Sequence, residues 1–143
     1  MHTPEQFTTL LRTRGYRVTA QRLAVFRALA AAGHHLTAEE VYERVQQTLP
    51  AIALTTVYKV LHELVALGEV RRVELGDASA RFDPNTSPHA HLVCQRCRHT
   101  EDLPPSDYHV GLPVIAARGF QIVNQAVVFY GLCPRCQAAS ADD

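Results

Sequence analysis

Two Cys-x-x-Cys pairs, Cys94 with Cys97 and Cys133 with Cys136, constrain this chain more than any other feature. They are separated by 35 residues and use every cysteine in the sequence. A pair at this spacing sits on one tight turn and aims two sulfurs at a common point. Two such pairs make a tetrahedral four-thiolate site of the structural zinc type. The competing reading, two disulfides or two redox pairs, needs an oxidising compartment. The N-terminus, Met1-His-Thr-Pro-Glu-Gln6, has neither the basic nor the apolar region of a secretory signal. No apolar run approaches the roughly 20 residues that span a bilayer. The sequence thus predicts a protein with no membrane partner, in a reducing cytoplasm where thiols hold metal rather than each other.

At 143 residues, 47% of them hydrophobic, the chain suits one ordinary domain or two small ones. Half this length makes a small core, and a metal would staple the smaller half. Thr3-Pro4-Glu5-Gln6 reads as a helix start, with a threonine cap, proline at the first position and glutamine at the third. Phe7, Leu10 and Leu11 follow at helical spacing and Gly15 ends the run. Thr19 caps a second helix whose inward stripe is Leu23, Val25, Phe26 and Leu29, closed by Gly33. Thr37 and Glu40 form a capping box for a third helix with Val41, Tyr42 and Val45 inward, stopped by Pro50. A fourth starts near Leu54 or Thr55 and carries Val57, Val60, Leu61, Leu64 and Val65 to Gly68. Alternation then takes over: Val70, Val73 and Leu75 before a Gly76-Asp77 turn, Ala80 and Phe82 after it, the pattern of a short hairpin. Helices followed by a ribbon in this order predict a winged helix-turn-helix over residues 1–83, with the fourth helix entering the DNA major groove.

Residues 84–89 have the turn composition of a hinge. Beyond it, residues 90–143 predict a small α/β domain: strands at His91–Val93 and His99–Leu103, a helix over Tyr108–Arg118, and a long β-rich run from Phe120 to Tyr130. The fold class is therefore α+β. Too few strands are available here to cover a sheet edge, so the sequence predicts pairing with a second copy, a homodimer.

Net charge is zero, 14 basic against 14 acidic residues, which alone argues against nucleic acid. Its distribution argues the other way. Residues 1–22 hold Arg12, Arg14, Arg17 and Arg22 against Glu5 alone. On the fourth helix Thr55, Thr56, Tyr58, Lys59 and His62 lie off the buried stripe. Hydroxyls and a lysine suit phosphate, an aromatic ring suits a thymine methyl, and Arg17 is placed to reach phosphate or the minor groove; with Arg22 these are the expected DNA contacts. A solvated helix face is the bland alternative. A second group, His35, Asp83, His89, His91 and Asp102, is not explained by a four-sulfur site. His89 and His91 alternate along an extended segment and share a face, Asp83 leaves the wing, and His35 enters the third helix. Three imidazoles and two carboxylates favour Fe2+ or Mn2+, although Zn2+, Co2+ and Ni2+ also bind such a set. Singly, each of these residues has an ordinary surface role as its alternative.

In order along the chain come Gly15-Tyr-Arg-Val-Thr-Ala-Gln-Arg22, His35-Leu-Thr-Ala-Glu-Glu-Val-Tyr42, Thr56-Val-Tyr-Lys-Val-Leu61, Gly76-Asp-Ala-Ser-Ala-Arg-Phe-Asp83 and the run from His89 to Cys97. Over nearly its full length the chain resembles the ferric uptake regulator superfamily of metal-dependent bacterial repressors. The resemblance implies a homodimeric winged-helix repressor on a pseudo-palindromic double-stranded operator. It implies structural zinc at Cys94, Cys97, Cys133 and Cys136, and a regulatory Fe2+ or Mn2+ between the domains at positions matching His35, Asp83, His89, His91 and Asp102. His34 is the neighbouring candidate for the place of His35.

Asp at 83 and 102 resembles the peroxide-sensing branch, in which ferrous iron reacts with hydrogen peroxide and oxidises a ligand histidine, at the positions of His35 and His91 here. Lys59 departs from that branch, which tends to have asparagine there, and from the iron regulators, which have arginine. Pro88 and Ala90 replace the histidine and aspartate of an additional site in many iron regulators. No fifth cysteine is present to match the zinc-uptake branch. An iron or manganese uptake regulator is the alternative within the family. A zinc enzyme or a dithiol oxidoreductase on Cys133-Pro-Arg-Cys136 is the alternative outside it, lacking a glutamate base or a thioredoxin-like context. His2, His62, His99 and His109 read as surface or packing residues.

Overall fold

The structure, a computed structural model, describes residues 1–76, 79–111, 118–122 and 125–141. The chain divides into two units, Met1–Thr86 and Ser87–Asp143, and the division lies inside the turn-rich stretch 84–89.

The first unit contains α1 (Pro4–Thr13), α2 (Ala20–Ala32), β1 (Leu36–Thr37), α3 (Ala38–Gln46), α4 (Leu54–Ala66), β2 (Arg71–Val73) and β3 (Arg81–Asp83). The predicted caps form. Gln6 N–H donates to Thr3 at 3.3 Å while Thr3 N–H donates back to the Gln6 side chain at 2.8 Å. Thr37 and Glu40 repeat the arrangement at 3.2 and 2.7 Å. Each cap contributes about 1 kcal/mol. Gly33 ends α2 at φ 67°, a left-handed turn that glycine enters without a Cβ clash. No side chain caps α4, whose N-cap is Ala53, so its start depends on burying Val57, Val60, Leu61 and Leu64. Phe7 and Phe26, both fully buried, stack with centroids 4.1 Å apart and join α1 to α2. The buried carboxylate of Glu69 takes the His2 backbone N–H at 3.1 Å and the His2 ring, tying down the N-terminus.

The wing differs from its predicted form. β3 lies between β1 and β2, and Arg71 pairs with Asp83 and Val73 with Arg81. The ladder thus stops at Val73 and Arg81, and the expected Gly76-Asp77 turn falls partly outside the described residues. Leu75 is buried, so it folds inward where the alternation would have continued the strand; Asp77 lies outside the described residues. The two-residue β1 is unforeseen by any pattern, because Thr37 is at once a strand residue and a helix cap.

In the second unit β4 (Ala90–Cys94) is central, antiparallel to β5 (Thr100–Leu103) and parallel to β6 (Val128–Gly131). A 3-10 turn spans Pro105–Asp107 and α5 spans Pro134–Ala141. One prediction changes, and another falls mostly outside the described residues. The Phe120–Tyr130 run is strand only from Val128, among the described residues. Phe120 and Ile122 stand 77% and 54% exposed, and β-propensity makes no strand without a backbone to pair with. The helix expected over Tyr108–Arg118 falls mostly on residues outside those described, and Tyr108 itself is extended, φ −142° and ψ 159°. Among the described residues no helix is long and apolar enough to cross a membrane.

Candidate metal centres and nucleic-acid interface

Cys94 ends β4 directly opposite Gly131 of β6, so both cysteine pairs leave from neighbouring strand ends. Gln95 N–H donates to the Gly131 carbonyl at 2.8 Å and holds those ends together. The first pair sits on a knuckle. Cys94 N–H donates to His99 O and Arg98 N–H to Cys94 O, each at 2.9 Å. Arg98 turns the chain at φ 62°, a left-handed position that costs a non-glycine residue of order 1 kcal/mol. Cys133 precedes α5 and Cys136 lies in its first turn, behind Pro134 at the position where the missing N–H costs nothing.

All four sulfurs lie within 4.8 Å of one another and none is in a disulfide. Two thiolates bonded at about 2.3 Å to a tetrahedral centre are about 3.8 Å apart. Cys97 Sγ and Cys133 Sγ are separated by 3.7 Å. The thiols are unlike one another. The backbone N–H groups of Cys133 and Cys97 pull Cys94 down to about 5, and the His99 N–H lowers Cys97. Burial, then hydrogen bonding with Cys97, pushes Cys136 up to about 12. Four thiolates this close coexist only around a cation, so the donor set and its spacing fit zinc.

The second group of donors is built in two parts. In the first unit, β1 pairs with β3 as Leu36 to Phe82, and the same register brings His35 to Asp83, Nε2 to Oδ2 3.3 Å. Asp83 Oδ1 accepts from Asn85 N–H at 2.8 Å, which fixes the carboxylate plane. His34 turns away, its Nδ1 2.7 Å from the Ala32 carbonyl at the end of α2. In the second unit His91 is the cross-strand partner of Asp102. His89 Nε2 lies 3.1 Å from His91 Nε2, and Asp102 Oδ1 lies 3.8 and 4.0 Å from the two nitrogens. His89 Nδ1 is 2.7 Å from the Ser87 carbonyl. A carbonyl accepts only, so Nδ1 carries the proton and, in the neutral ring, Nε2 presents a lone pair. Two nitrogens about 2.1 Å from one six-coordinate ion are about 3.0 Å apart, close to the spacing found. A carbonyl in that place is of the kind that orients metal-binding histidines.

Along α4, Thr55, Tyr58, Lys59 and His62 are exposed on the side opposite the buried stripe, with Thr56 half-buried. They border an open depression edged by Tyr16 and Glu63. Arg17, next in sequence to Tyr16, is exposed. Arg22 is otherwise engaged: its Nε and Nη2 donate to Glu63 at 2.8 and 3.0 Å, its Nη1 to the Arg17 carbonyl at 2.5 Å. Its guanidinium also lies 5.3 Å from the Tyr16 ring centre. Those hydrogen bonds hold Glu63 below the usual carboxylate range. Two acceptors escaped prediction from the sequence, Glu63 here and Glu39, which takes the Tyr58 hydroxyl at 2.8 Å. Neither contact had a local signal, since the partners are 41 and 19 residues apart.

Comparison with known proteins adds four likenesses. The model of the ferric uptake regulator family matches residues 13–130. The peroxide-responsive repressor PerR of Staphylococcus saprophyticus is 34% identical over 137 residues, covering 95% of this chain and 93% of that protein. Among solved structures, the ferric uptake regulator of Pseudomonas aeruginosa with manganese aligns at TM-score 0.69 and 26% identity, over 89% of this chain and 97% of that one. PerR from Streptococcus pyogenes, described for peroxide sensing and gene regulation, aligns at 0.56 and 26%, over 96% and 95%.

Proposed function

Since the chain belongs to the ferric uptake regulator family, we propose that it is a zinc-stabilised, homodimeric transcriptional repressor working in the cytoplasm. It grips a pseudo-palindromic operator when Fe2+ or Mn2+ is bound, and peroxide releases it. The observation that carries this reading is the pre-oriented donor set. His91 and Asp102 are cross-strand partners, His89 is held by the Ser87 carbonyl with its Nε2 towards His91 Nε2, and His35 faces Asp83. One ion shared by the His35/Asp83 pair and the His89/His91/Asp102 group fixes the spacing of two recognition helices. These must meet successive major grooves about 34 Å apart. The ion shifts that equilibrium only by its preference for the DNA-competent form. When bound it supplies Lewis acidity and, as iron, a one-electron couple. The chain orients the imidazoles around it. The four-sulfur cage keeps no coordination position open for a substrate, which supports a regulator over an enzyme. On DNA, Arg17, Thr55, Thr56, Tyr58 and Lys59 make the contacts, while Arg22 braces the helix that carries them.

The test is operator binding by zinc-loaded protein with Fe2+ or Mn2+, before and after hydrogen peroxide. Loss of binding with iron but not with manganese is expected. Binding that persists after all but the zinc is stripped away refutes the reading. Insensitivity to peroxide with both ions selects the second reading, an iron or manganese uptake regulator.

A further inference from the structure

Tyr58 stands on the outward side of α4, 37% exposed, where water can satisfy a phenol. Its hydroxyl donates instead to Glu39 Oε1 at 2.8 Å, a charge-assisted bond between α4 and the first turn of α3. The acceptor stands on a rigid base. Thr37 and Glu40 close the capping box on either side of it, and the preceding Leu36 is fully buried in register with Phe82. Arg81 of β3 lies 3.9 Å from Glu40. One turn along α4, the His62 ring lies 6.5 Å from that of Tyr58. The phenol is thus aimed from its tip by a residue that lies outside the depression on α4.

Resting on the repressor reading above, we propose that Glu39 is a positioning residue for operator recognition. It holds the Tyr58 ring in one orientation and so sets how strictly the base beneath that ring is read. A tyrosine free to rotate about its side-chain bonds meets several base edges and discriminates poorly among them. One ordered beforehand loses no rotamer freedom on binding and offers a single edge and face. The raised titration of Tyr58, caused first by its hydrogen bond to Glu39, is an independent handle on the same contact.

A second role for Glu39 predicts the opposite sign. A carboxylate near a DNA-facing surface repels phosphate, so its removal would tighten binding. A double-mutant cycle separates the two, using Glu39→Ala, Glu39→Gln, Tyr58→Phe and the Glu39→Ala/Tyr58→Phe double. Duplexes come from a random-sequence pool selected by the wild-type dimer in Mn2+, and affinity is read by fluorescence anisotropy. Glu39→Ala and Tyr58→Phe are each expected to weaken binding about threefold to tenfold. The double is expected to lose no more than either alone, and both singles relax the same base position in each half-site. Glu39→Gln keeps an acceptor oxygen and recovers to within about twofold of wild type. In Glu39→Ala, ultraviolet titration shows one phenol moving down towards the ordinary tyrosine range. Additive losses, or tighter binding in both Glu39 variants, overturn the inference while leaving the repressor reading intact. A wild-type dimer that selects no duplex in Mn2+ overturns both.

Discussion

Replacing Arg22 by alanine separates bracing from DNA contact at a residue whose charge and place suit either. Two of its N–H groups grip Glu63 as a fork, and the two side chains are each only 16% exposed. Bonds to a charged partner contribute about 1.5–3 kcal/mol when buried, and partial solvent screening brings the estimate to about 2 kcal/mol. In urea unfolding of the zinc-loaded protein that is a midpoint shift of about 1 M for the first unit. The destabilisation has a pH signature. Glu63 titrates below its unfolded value, so the pair stabilises fully above the ordinary glutamate pKa of about 4.3 and fades as pH falls through the depressed value. The difference between wild type and Arg22→Ala therefore shrinks as acid is added. A remainder persists, because the variant also lacks the packing on Tyr16 and the bond to the Arg17 carbonyl. Arg22→Lys keeps the charge without the fork and falls between them. Operator binding gives the deciding measurement. A protein that neutralises one phosphate fewer has a slope of log K against log salt shallower by about 0.9. Arg22→Ala is expected to leave that slope unchanged, whereas Arg17→Ala and Lys59→Ala lower it by about 0.9 per protomer. A lowered slope for Arg22→Ala with no drop in stability would refute the bracing argument.

Three further outcomes follow from the same geometry. Cys97→Ser removes one corner of the sulfur cage; bound zinc, counted with a colorimetric chelator after unfolding, drops from one per chain, and the β4–β6 unit loses structure by circular dichroism. Structural zinc of this kind contributes about 10–16 kcal/mol of binding to folding, so the remaining three thiols are insufficient. Asp102→Ala retains zinc and the wild-type far-ultraviolet spectrum but weakens Mn2+ binding by more than about tenfold, read by calorimetry, and metal-dependent operator binding falls with it. Phe26→Ala empties a site of 0% exposure and destabilises the first unit by about 3–5 kcal/mol in the urea midpoint, with zinc content unchanged.

What the residues announced and what they hid divide along a physical line. The caps at Thr3, Thr19 and Thr37 were readable because a cap is satisfied within three residues of itself, and each forms as expected. The buried stripe of α4 was readable because helical period writes burial into spacing. The sulfur cage was readable because a Cys-x-x-Cys pair carries its geometry locally. Where a contact joins distant segments, nothing local recorded it. Arg22 finds Glu63 across 41 residues and Tyr58 finds Glu39 across 19. The Phe120–Tyr130 run shows the converse failure: its β-branched and aromatic residues were plain, but the partner backbone that would make a strand of residues 120–122 is not among the described elements. α5 was missed because its eight residues, Pro134–Ala141, carry no apolar stripe for periodicity to detect.

The two candidate metal groups of the second unit share one strand, and on the proposed reading this sets an order between them. β4 carries His91 near its start and Cys94 at its end, only three residues apart. Its register against β5 makes His91 and Asp102 partners, while its register against β6 puts Cys94 opposite Gly131, two residues before Cys133. A slip of one residue in β4 would turn His91 to the other face and part it from Asp102. On the proposed ligation, zinc closing the cage between Cys94/Cys97 and Cys133/Cys136 would oppose that slip, because it would tie the end of β4 and its knuckle to the end of β6. Zinc therefore fixes the alignment on which the second set of ligands depends, while the second ion exerts no equivalent hold on the cage. Removing the tightly held ion must abolish both sites, whereas removing the other must leave the sulfur cage whole, and that asymmetry lets one ion serve as structure while the other varies as a signal.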